Sequence, residues 1–130
     1  MIKQVIDIEG YWKVIVFWNV NYGLFDIVEH ELKKTGLSNA AIERVKMMME
    51  EEAKAVTCSN ERKHLSVIAF NHHSSEADYI NSIVHEAEHV KQAMLRTYLV
   101  DDEGEPPAYT IGYLVMKMWK VFSNYIACFC

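Results

Sequence analysis

The chain has 130 residues, 51% of them hydrophobic and 24% charged, with a formal net charge of -5. That length favours one domain able to bury roughly two-thirds of its unfolded surface without staples. The acidic balance argues against nucleic acid as the main partner: phosphate binding needs clustered positive charge, and no run of Lys or Arg exceeds two residues, as at Lys33-Lys34.

No apolar run reaches the roughly 18 residues that read as a membrane span. The nearest, Tyr109 to Cys130, is interrupted by Lys117, Lys120 and Asn124. Met1 to Ile8 mixes Lys3, Gln4 and Asp7 among apolar residues, unlike a secretory signal. The three cysteines, Cys58, Cys128 and Cys130, are odd in number, which points to free thiols in a reducing, cytoplasmic setting. Cys128-Phe129-Cys130 reads as incidental rather than as a metal grip.

In chain order, Ile2 to Ile8 predicts a strand and Glu9-Gly10 a turn. Tyr11 to Val20 predicts a second strand with Trp12, Val14, Val16 and Trp18 on one face and Ile15 and Phe17 on the other, hence covered on both sides. Leu24 to Lys34 predicts a helix stopped at Gly36, and Ser38 caps a long helix to about Val56 with the stripe Ile42, Val45, Met49, Ala53 and Val56. The Met47-Met48-Met49 run on it reads as core. Ser59-Asn60 signals a turn. Leu65 to Phe70 predicts a short apolar strand whose free edge would hold an extended peptide. Asn71-His72-His73-Ser74 reads as a polar surface loop, and Ser75-Glu76-Ala77-Asp78 as a capping box opening a helix to about Thr97. Pro106-Pro107 begins the last helix, striped by Ile111, Leu114, Val115, Met118, Phe122, Tyr125, Ile126 and Phe129. The expected fold is α+β: a small, mostly antiparallel sheet with about four helices, the His85–His89 helix lying between the sheet and the last helix.

His85-Glu86-Ala87-Glu88-His89 is the segment with chemistry in it. Two histidines one helical turn apart project from one face, about 5–6 Å apart at Cβ, which suits two nitrogens on one Zn²⁺ ion. Glu86 points in an adjacent direction, placed to take a proton from water and not to bind the ion. Catalytic zinc takes three protein ligands. Beyond Pro106 there is no Asp, Glu or His, so the downstream choices are Asp101, Asp102, Glu103 and Glu105. Glu105, held against Pro106-Pro107, comes first and Asp102 second. The plainer alternative for the pair is a solvent-exposed helix face with two ordinary histidines.

The stretch His85 to His89, followed by Glu105 at the head of a helix, resembles the zincin metallopeptidases and, within them, the gluzincins. The metzincin extension is absent, since Gln92 and Leu95 stand where it needs Gly and His. Size and layout, with Glu105-Pro106-Pro107-Ala108-Tyr109 after the motif, are similar to small zincin-like peptidases encoded by bacteriophages and prophages. The resemblance covers about residues 64 to 120. It implies one minimal zincin-like domain over residues 1–130, with His85, His89 and Glu105 as zinc ligands and Glu86 as general base and proton shuttle. It implies peptide or protein substrates. Related enzymes use a Tyr or His as oxyanion donor; Tyr109, one turn beyond Glu105, takes that place, with Tyr113, His72 and His73 as alternatives. Zincin motifs have uncharged middle residues, and Glu88 departs from this.

Two other readings stand beside the peptidase. One is a catalytically inactive zincin-like interaction protein of a mobile element. The other is a structural helical protein with a fortuitous motif. Turnover with Glu86 intact separates the first, and metal content the second.

Overall fold

A computed structural model of the chain describes residues 1–22 and 25–129. The expected helix start at Leu24 and the Cys130 thiol lie outside them. The fold is α+β, and the described residues form a four-stranded mixed sheet and four α-helices. The described chain divides into two compact units, Met1–His72 and His73 onward.

The first unit holds the sheet. Strand β1 (Ile2–Ile8) turns through Glu9 and Gly10, both at positive φ, into β2 (Trp12–Trp18). Glycine at the second position makes the left-handed turn cheap, and the Asp7 carboxylate accepts from the Gly10 N–H at 3.2 Å. β2 is shorter than expected because Asn19 leaves the extended region at φ 56. Helices α1 (Phe25–Lys34) and α2 (Asn39–Glu51) follow. Ser38 caps α2, its hydroxyl accepting from the Ala41 N–H at 3.1 Å, as the sequence predicts. The helix stops before Val56, however, because Glu52 takes a left-handed conformation at φ 57. Ala55–Asn60 then forms a strand, β3, where the sequence suggested the end of a helix and a turn. Asn60 does cap the tight turn Glu61–Lys63, which leads into β4 (Leu65–Phe70).

The strand order is β1-β2-β4-β3, with β2 and β4 parallel and the two other pairs antiparallel. This corrects one expectation. β4 has no free edge: β2 pairs with it on one side and β3 on the other, so it cannot hold an extended substrate by strand addition. All six of its residues are buried, as an interior strand requires. One sheet face, with Ile15, Phe17, Val67, Ala69 and Cys58, packs with Val28 and Leu32 of α1 and Ile42, Val45 and Met48 of α2. On the opposite face Trp12, Val14, Val16, Trp18, Ile68 and Phe70 are also buried. There Trp18 stacks on Phe70 with ring centroids 4.7 Å apart, and the Trp12 indole N–H donates to Ser66 Oγ at 2.9 Å. β2 is thus buried on both faces, as its two apolar faces predict.

The second unit is built on α3 (Glu76–Tyr98) and α4 (Glu105–Val121), which pack against each other across a short connection. Ser75 caps α3 by accepting from the Asp78 N–H at 3.1 Å. Tyr79, Ile83, Ala87, Val90, Ala93 and Met94 form the buried side of α3. Of the expected α4 stripe, Leu114, Met118, Phe122 and Ile126 are fully buried, while Tyr125 is exposed. The last two buried positions lie beyond the α-helix, in a π-helical turn over Phe122–Ile126. No helix among the described residues is long and apolar enough to cross a membrane.

Candidate metal site on the third helix

The capped helix α3 holds His85 to His89 in regular α geometry, so the spacing in sequence becomes a spacing in space. The two Nε2 atoms are 3.3 Å apart, and the rings meet edge to face with centroids at 4.9 Å. Two nitrogens each about 2.0–2.1 Å from one tetrahedral zinc ion lie about 3.3–3.4 Å from each other. The pair therefore has the nitrogen separation that one tetrahedral ion requires. Both histidines are exposed, so an ion can reach them from solvent.

Their neighbours on the helix divide into two sides. At about 100° per residue, Glu86 lies to one side of His85 and Glu88 about 60° to the other. Glu86 is only 5% exposed, on the flank of the helix that carries the buried residues Ala87 and Val90. Glu88 is turned away from the histidines: its carboxylate pairs with the Lys91 ammonium at 2.7 Å and accepts from the Gln92 amide at 3.4 Å. The second grip on Lys91 comes from Asp102, at 2.8 Å, in the connection to α4. The Asp102 and Glu88 carboxylates hold the Lys91 ammonium above the usual lysine range of 10.5. Lys91 itself is buried, which a lysine tolerates only when its charge is met.

Among the described residues, no group of three or more His, Cys, Asp or Glu side chains is gathered where it could hold a metal ion. His85 and His89 are thus brought together, and neither candidate for a third ligand joins them. Asp102 is engaged with Lys91. Glu105 is exposed at the first position of α4, behind Gly104 at φ 79. Tyr109 is 52% exposed on the next turn, its ring stacked on that of Tyr113 with centroids at 6.1 Å. Lys117 Nζ stands 5.4 Å from the Tyr113 ring centroid.

His73 corrects another expectation. It is no surface loop residue but 3% exposed, its ring stacked on Tyr79 at 4.1 Å and its Nε2 in a 2.7 Å hydrogen bond with Ser82 Oγ. It fastens the segment before α3 to that helix and is not placed to touch substrate. His72 is half-buried and donates its backbone N–H to Asn21 Oδ1 at 2.6 Å. Of the thiols, Cys58 is buried and Cys128 exposed.

Compared with protein-family models, with curated proteins and with solved structures, the chain gives no match. The functional reading therefore rests on the residues themselves. Lys91 is the member of this surface that the sequence did not single out. Its signal was faint: Glu88 stands one turn before it, the ordinary spacing of a helical ion pair.

Proposed function

We propose that the chain is a zinc-dependent peptidase of zincin-like type, with His85 and His89 as two of its metal ligands. The observation that supports this most is the 3.3 Å separation of the two Nε2 atoms. Of the carboxylates available for a third ligand, Glu105 is favoured, because Asp102 is engaged with Lys91. If bound by these residues, zinc would supply the Lewis acidity that activates a water for attack on the peptide carbonyl. The protein's own residues do the rest. Glu86 accepts the proton of the attacking water and returns it to the departing amine, so that the peptide bond breaks with one water consumed. Its place one residue after His85 lets it address that water without competing for the ion. The Tyr109 hydroxyl, on the exposed side of α4, donates a hydrogen bond to the oxyanion that develops on the substrate carbonyl. The substrate is a peptide or protein. The zincin-like fold and the kinship with small phage-encoded peptidases belong to the same proposal, as does a cytoplasmic place of work.

The test is Glu86→Gln. This variant keeps its zinc, because Glu86 is not a ligand, and loses cleavage in a peptide-library screen on zinc-loaded protein. Cleavage that survives in Glu86→Gln refutes the mechanism. A wild type that holds zinc fully and cleaves no peptide selects the interaction-protein reading instead.

A further inference from the structure

The connection between α3 and α4 folds back on α3. Leu99, left-handed at φ 55, ends the helix, and the Val100 N–H donates to Leu95 O at 3.0 Å. Asp102 then reaches Lys91, which stands about two turns before the helix end. Glu105 follows three residues later, so its Cα lies within about 11 Å of that of Asp102. Between them Gly104 takes φ 79, and its carbonyl accepts from the Ala108 N–H as α4 begins. Asp102 is therefore the point at which the chain leading into α4 is tied down. It is tied on the Glu88 side of the histidines, opposite Glu86.

The tie is unusually well made for a surface ion pair. The Lys91 side chain is 8% exposed, against 51% for Asp102 and 41% for Glu88. A lysine whose stem is packed and whose ammonium meets two carboxylates is held more closely than the ends of an exposed pair, which contribute little because both are mobile. Resting on the zinc-site reading above, we propose that Lys91 is a positioning residue. By gripping Glu88 and Asp102 together it anchors the loop from which Glu105 would reach the His85–His89 pair. Lys91 touches neither metal nor substrate. It shortens the search that the Glu105 carboxylate makes for the ion, and so raises metal affinity.

The experiment compares wild type, Lys91→Met, Lys91→Arg and Asp102→Asn. Methionine keeps the apolar stem in its buried seat while removing the charge. Zinc affinity is read by competition with a chelator, and the mobility of residues 99–105 by amide hydrogen exchange on zinc-free protein. Lys91→Met should weaken zinc binding about 10- to 100-fold, the range seen when residues that support ligands are lost. Exchange across residues 99–105 should rise with it. Lys91→Arg should restore both to within a few-fold. Asp102→Asn, at a half-exposed side chain, should follow Lys91→Met, and serves alone if the latter does not fold. Zinc affinity within twofold of wild type in both Lys91→Met and Asp102→Asn overturns the proposal. So does a rise in exchange with no loss of affinity, which would make the clamp purely structural. Tighter binding in Lys91→Met also overturns it, by making a freed carboxylate the ligand. Failure of the wild type to take up zinc sinks the zinc-site reading itself, an outcome distinct from an unchanged variant.

Discussion

Adding zinc to the metal-free protein should stabilise it, and removing either histidine should abolish the effect. On the zinc-site proposal, the 3.3 Å gap between the Nε2 atoms means that the ion would meet a pair already close together. Binding to the folded chain alone contributes RT ln(1 + [Zn]/Kd), about 2.7 kcal/mol when zinc stands at about 100 times Kd. A chain of 130 residues unfolds with an entropy of about 0.27 kcal/mol/K, so Tm should rise by about 10 °C. His85→Ala and His89→Ala each leave a single imidazole and should show almost none of that rise. Differential scanning calorimetry at increasing zinc is the assay. X-ray absorption on the loaded protein should find two imidazole nitrogens at about 2.0–2.1 Å. An equal rise in the doubly substituted protein would place the metal elsewhere. A wild-type Tm that ignores zinc would refute the inference drawn from the gap.

Further outcomes follow from single contacts. Ser75→Ala removes the cap of α3 and should cost about 1 kcal/mol in urea unfolding, while Ser75→Asp should not; equal losses would mean the cap is idle. Leu114→Ala opens a cavity at a fully buried position of α4 and should cost about 2–5 kcal/mol with the m-value unchanged. A loss below about 1 kcal/mol would mean that α4 is not packed as described. Lys3, and then Lys34, hold the Glu31 carboxyl below its usual 4.5. A depressed pKa stabilises the fold above 4.5 and loses that contribution as pH falls through the lower folded value. The stability difference between wild type and Glu31→Gln should therefore shrink on going from about pH 7 to about pH 3, and a gap that stays constant would contradict the pairing.

What the sequence revealed was what periodicity and capping encode. Ser38 and Ser75 marked two helix starts because a hydroxyl before a helix has a defined backbone partner. Ile2 to Ile8 and Leu65 to Phe70 were legible as strands to the residue. β3 was missed because the helix before it ends at Glu52, and nothing about glutamate announces a left-handed residue. The interior place of β4 was within reach: Leu65 to Phe70 is apolar almost throughout, the mark of a strand with neighbours on both sides. The His85–His89 pair was legible because a helix converts spacing into distance. His73 and Lys91 were not, because Ser82 and Asp102 meet them only once the chain has turned back on α3.

The parallel pairing of β2 with β4 has a consequence for the chain's birth. Lys13 pairs opposite Leu65, with about 50 residues between them. At about 5–20 residues per second on the ribosome, β2 waits about 3–10 s for its second neighbour. During that interval the hairpin of β1 and β2 exists with the far side of β2 unpaired, and Val14 to Trp18 is an uninterrupted apolar segment. Such an edge invites pairing with another nascent chain. The arrival of β4 closes that window, and slow codons between β2 and β4 would hold it open.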